Sequence, residues 1–125
     1  MVDIGKQIKT WVDGSKEDLE VASELIGKGR IRHGLFFAHL ALEKALKALV
    51  CRRTQDIAPP IHNLVRLAEV AGVELTREQV DLLADVNAFN IEARYPDHLA
   101  PPPSGDEARG YLARIEEAMK WLMTL

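Results

Sequence analysis

Between Leu35 and Leu49, apolar residues recur at Leu35, Ala38, Leu42, Ala45, Leu46 and Leu49, the longest uninterrupted stripe in the chain. Steps of three and four positions put all six side chains on one side of an α-helix. The residues from Ala41 to Leu49 are Ala, Leu, Glu and Lys, all strong helix formers. A helix from about Arg30 to Arg53 follows, with Arg52 and Arg53 in the last turn, where the helix dipole favours cations. A helix of this length with so continuous a stripe belongs at the centre of a bundle.

The flanking segments are helical too. Ile4, Ile8, Trp11, Leu19, Ala22, Leu25 and Ile26 share helical periodicity, interrupted at Gly14-Ser15 and stopped by Gly27-Lys28-Gly29. One glycine costs a helix only about 1 kcal/mol, so one long helix is expected, although Ser15 and Asp18 have capping-box spacing. The pair Pro59-Pro60 forces a loop. A short third helix is expected from His62 to Ala71, with Leu64, Leu67, Ala68 and Ala71 inward and Gly72 as its stop. Thr76 and Gln79 cap a fourth, carrying Val80, Leu83, Val86, Asn87 and Asn90, and Pro96 ends it. Pro101-Pro102-Pro103 is a stiff connection, and Ser104 with Glu107 opens a last helix bearing Tyr111, Leu112, Ile115, Met119 and Leu122. No segment alternates as a strand does. The expectation is an all-α, up-and-down bundle of about five helices, with residues 1–125 as one domain.

Charge is distributed unevenly. The net charge of −3 conceals seven Lys/Arg against Glu43 alone in residues 28–53, while residues 54–125 carry six basic and twelve acidic side chains. A basic stretch on an acidic chain can attract phosphate locally, or can be a solvated helix face. No apolar run reaches the roughly 20 residues of a membrane span. The first residues, with Asp3 and Lys6 around Ile4, show no secretory signal. A lone Cys51 permits no internal disulfide and fits a reducing cytoplasm. Neither zinc-ligand spacing nor a glycine-rich phosphate loop is present, so no metal or cofactor is expected.

Several residues have chemistry to offer. His39, Glu43 and Lys47 rise along one line of the second helix, as a pocket or contact, or as helix support through the Glu43–Lys47 pair. His62 caps the third helix, holds its loop, or transfers protons with a partner. Cys51 beside Arg52 and Arg53 is either an activated thiolate or, as its apolar neighbours Leu49 and Val50 favour, a buried structural thiol. Arg94 is placed to pair with Glu92 or Asp97 or to grip a phosphate, and Tyr95 to pack its ring with the hydroxyl outward.

Three patches taken together, Ala41 to Leu49, Ile61-His62-Asn63-Leu64, and Glu92-Ala93-Arg94-Tyr95-Pro96-Asp97, resemble the HEPN family from about Trp11 to the C-terminus. These are small helical domains associated with nucleotides, RNA and minimal nucleotidyltransferases. The resemblance implies a cytoplasmic homodimer that pairs with such a nucleotidyltransferase, toxin–antitoxin-like, and binds nucleotide or RNA phosphate through Arg94, Lys44 and Lys47. RNA-cleaving members carry an Arg and a His separated by four to six residues. Arg94 and His98 are separated by three, with Pro96 among them. The strict motif is not met, so a binding module ranks ahead of a metal-independent endoribonuclease using Arg94 and His98 as a displaced pair. Trp11, Phe36 and Phe37 exceed what one bundle seam needs, which places the expected dimer contact on the first two helices.

Overall fold

The structure, a computed structural model, describes residues 2–94 and 101–125, without the side chains of 92–94. It contains α1 (Ile4–Gly27), α2 (Ile31–Thr54), α3 (Leu64–Ala71), α4 (Arg77–Arg94) and α5 (Gly105–Leu122), and no strand among the described residues. The architecture is an all-α, up-and-down bundle with α2 at its centre. α1 and α2 form the most extensive pair, and α3, α4 and α5 each pack on α2. No described helix is long and apolar enough to cross a membrane.

The helix ends follow from local chemistry. Asp3 caps α1 by accepting the Lys6 N–H at 3.1 Å, and Gly29 turns the chain at φ 80. α2 stops at Gln55 in the left-handed region, φ 56, whose N–H donates to the Cys51 carbonyl at 2.9 Å. Asn63 caps α3 through the Arg66 N–H, and Gly72 ends it at φ 72. The expected start at His62 is therefore two residues early: His62 stays in the loop because Asn63 takes the cap. Both expected capping boxes form, Thr76 with Gln79 and Ser104 with Glu107.

All six residues of the Leu35–Leu49 stripe are buried, joined by Ala22, Ile26, Leu64, Leu67, Ile115 and Met119. α4 departs from its expected face. Val80 is 36% exposed, whereas Leu82, Leu83, Val86 and Phe89 are buried, so the inward stripe is rotated away from Val80. Asn87 belongs to that stripe for a polar reason: its Oδ1 accepts the Leu64 N–H at 2.9 Å, satisfying the start of α3. Phe89 meets Tyr111 edge-to-face at 5.1 Å, tying α4 to α5.

α1 runs unbroken through Gly14 and Ser15, and no second capping box forms. Ser15 Oγ–H donates to the Val12 carbonyl at 2.7 Å. Gly14 has another use: a Cβ there would lie 3.0 Å from Lys44 Cδ, so the missing side chain gives the Lys44 stem room to cross. At the other end of the hairpin a Cβ on Gly34 would press into Ile26 and approach the Ala22 carbonyl at 3.1 Å.

Leu42 is fully buried on the central helix. Leu42→Ala is expected to destabilise the protein by about 2–5 kcal/mol in denaturant unfolding. A loss below about half a kilocalorie would contradict this placement.

Candidate functional site

α2 is so enclosed that it buries polar residues along with its apolar stripe. His39, Glu43 and Lys47 are 0%, 5% and 6% exposed, one turn apart. Their line is thus an interior seam rather than an outer surface. Lys47 Nζ donates to Glu43 Oε2 at 3.1 Å. The other oxygen, Oε1, accepts the His62 Nδ1–H at 3.1 Å and lies 3.8 Å from His39 Nδ1. His39 Nε2–H in turn donates to the His62 main-chain carbonyl at 3.1 Å, since a carbonyl oxygen only accepts. The pair expected as helix support exists, and it belongs to a four-residue cluster.

α1 closes the cluster from the other side. The Trp11 ring faces Lys47 Nζ, 5.2 Å from its centroid, a cation–π contact that compensates part of the lysine's lost hydration. One turn along the interface, Lys44 Nζ pairs with Asp18 Oδ2 at 2.7 Å. Lys44 and Lys47, both expected to face a phosphate, each have a carboxylate partner. His62 differs from the others because its side chain remains 56% exposed. Its neighbour Asn63 is fixed as the α3 cap and is linked to Asn87 Nδ2 at 3.3 Å.

Trp11 enters the site from outside its expected residues, as does Asp18. Asp18 lies on the stripe of Ala22 and Ile26 at four-residue spacing, and a carboxylate on a core stripe is the signal that marks it. The residues Arg94, Tyr95, Asp97 and His98 fall outside the described side chains. Cys51 is buried, and burial pushes its thiol above the ordinary range, opposed by the Ala58 backbone and the Trp11 indole. It is placed as a structural thiol.

A groove of about 640 Å³ between α4 and α5 is lined by Glu78, Asp81, Asp85 and Glu117 together with Arg114 and Trp121. Its carboxylates disfavour phosphate. Among the described residues no group of three His, Cys, Asp or Glu side chains is arranged to hold a metal ion.

The family model described as "HEPN domain" matches residues 8–125, nearly the whole chain. The chain belongs to the HEPN family. The HEPN fold is borne out by a solved structure, the crystal structure of TT1696 from Thermus thermophilus, at TM-score 0.81 and 22% identity. The match covers 94% of this chain and 97% of that one. At that identity the likeness speaks for the fold alone. No curated protein matches the chain.

Removing Glu43 strands Lys47 in the interior. Glu43→Ala is expected to cost about 3–5 kcal/mol, and Glu43→Leu combined with Lys47→Met to recover most of it, as read by denaturant unfolding. Cys51 is expected to react with an aromatic disulfide reagent far more slowly in native protein than in denaturant. Equal rates would show that the thiol is accessible.

Proposed function

We propose that this chain is a nucleotide- or RNA-phosphate-binding module, residues 1–125 acting as one domain, which dimerises and pairs with a minimal nucleotidyltransferase in the cytoplasm in a toxin–antitoxin-like arrangement. One observation carries the binding reading. The central helix keeps a glutamate, a lysine and a histidine out of water and joins them to an imidazole that remains in solvent. Apolar residues of similar size in their place would often fold as stably or better. A costly charged cluster that reaches the surface at one titratable group has the form of a site.

Electrostatics supports phosphate as the ligand. The basic surplus of residues 28–53 lies on α2 and the turn before it, where Lys28, Arg30 and Arg53 are exposed, while the α4–α5 groove is acidic. An anion is drawn toward the first side and away from the second. Arg94 supplies the planar fork that grips phosphate oxygens. The dimer reading rests on α1 and α2, where Trp11, Phe36, Phe37 and Leu40 are only half-buried, and on family membership. The nucleotidyltransferase reading rests on family membership alone.

Titration of AMP and a short single-stranded RNA into wild type, Arg94→Ala and His98→Ala, with a cleavage assay in EDTA, tests the reading. Binding by wild type, weakened in Arg94→Ala and without cleavage by any variant, is expected. Cleavage that disappears in His98→Ala would instead make the protein an endoribonuclease. Light scattering at micromolar concentration is expected to give about twice the 14.0 kDa of one chain.

A further inference from the structure

His62 is an exposed residue held as firmly as a buried one. Its Nδ1–H is taken by Glu43 Oε1 at 3.1 Å, and its carbonyl by His39 Nε2–H at 3.1 Å. The next residue, Asn63, is pinned by capping α3 and by Asn87. Glu43 is itself fixed by Lys47, and Lys47 lies against Trp11. Ring orientation and backbone are therefore both set by residues of α1, α2 and α4. A surface histidine needs none of this to remain in solvent. Fixing one ring nitrogen on a carboxylate determines which nitrogen is offered outward, here Nε2.

We propose that His62 Nε2 is the group this site presents to a phosphate oxygen of a nucleotide, with Glu43 as its positioning residue. The proposal rests on the phosphate-binding reading above and assigns it a contact on the described surface. Lys47 balances the Glu43 charge and Lys44 balances Asp18. Neither lysine has an unshared charge for a ligand, whereas a proton on His62 adds one positive charge at the surface. The ring then donates Nε2–H to a phosphate oxygen while Nδ1–H stays on Glu43. The groups facing it are anionic Glu43 and His39, both from α2, with Asn87 approaching from α4 through Asn63. The positive end of α3, which begins two residues later, favours the same ligand charge.

The test uses inorganic phosphate and AMP as probes, at a pH near 6 where an ordinary imidazole is largely protonated. Imidazole ¹⁵N spectra are expected to show His62 Nε2 shifting on addition of either probe while His33 stays unchanged. His62→Ala is expected to weaken binding about ten- to a hundredfold, the range for a hydrogen bond from a charged group. His62→Asn is the discriminating variant. Its amide N–H occupies the place of Nδ1 and can keep Glu43 satisfied, but nothing replaces Nε2. It is expected to retain wild-type thermal stability and to lose binding like His62→Ala. Restored binding in His62→Asn would overturn the contact and leave His62 a loop anchor. Undiminished binding in both variants would overturn it as well, while leaving the phosphate-binding reading intact. Failure of wild type to bind either probe, or the short RNA, would overturn that reading and this contact together.

Discussion

The structure depends on a helix with almost no free side. α2 touches all four other helices and buries fourteen of its residues, from Gly34 to Cys51. Any polar group on it must find its partners inside the bundle or destabilise the fold. Glu43 meets this demand with Lys47 on one oxygen and His62 on the other. The placement of the 55–63 loop, the side of α1 that carries Trp11, and the start of α3 all converge on that carboxylate.

This arrangement separates two kinds of charge in the molecule. Charged pairs such as Lys9–Asp13 and Arg66–Glu69 lie in solvent, where screening and side-chain entropy leave them worth little. The pairs along α2 are enclosed, where desolvation makes each partner necessary to the other. A basic surplus counted along the sequence overstates what the surface offers, because Lys44 and Lys47 are matched within the α1–α2 interface. The remaining attraction for an anion comes from the exposed cations around the turn and from groups such as His62, whose charge varies with proton uptake.

Helix positions are legible in the sequence because periodicity, capping residues and proline act over a few residues. The Leu35–Leu49 stripe and both capping boxes stand as read. The side of α4 that turns inward is less legible: Val80 and Leu83 fit one stripe, Leu82 and Phe89 another, and only packing against α2, α3 and α5 decides between them. In the site, the Glu43–Lys47 pair is legible from four-residue spacing. The His62 contact to Glu43 spans nineteen residues across a loop, and no local rule reports it. Gly14 reads as a weak point in α1, and its purpose emerges only once Lys44 is seen crossing it.

The two glycines of the α1–α2 hairpin have a joint consequence. Gly14 on α1 admits the stem of Lys44 from α2, and Gly34 on α2 admits Ile26 from α1. Each helix thus carries one keyway and one key, cut in opposite senses near opposite ends of the pair. Sliding either helix by one turn, about 5.4 Å, would bring Thr10 or Asp18 to the first keyway and Arg30 or Ala38 to the second. Every one of those residues has a side chain that blocks the slot. The hairpin is therefore indexed like a ratchet with a single tooth, and the axial position of Glu43 relative to Trp11 is set by two atoms' worth of missing carbon.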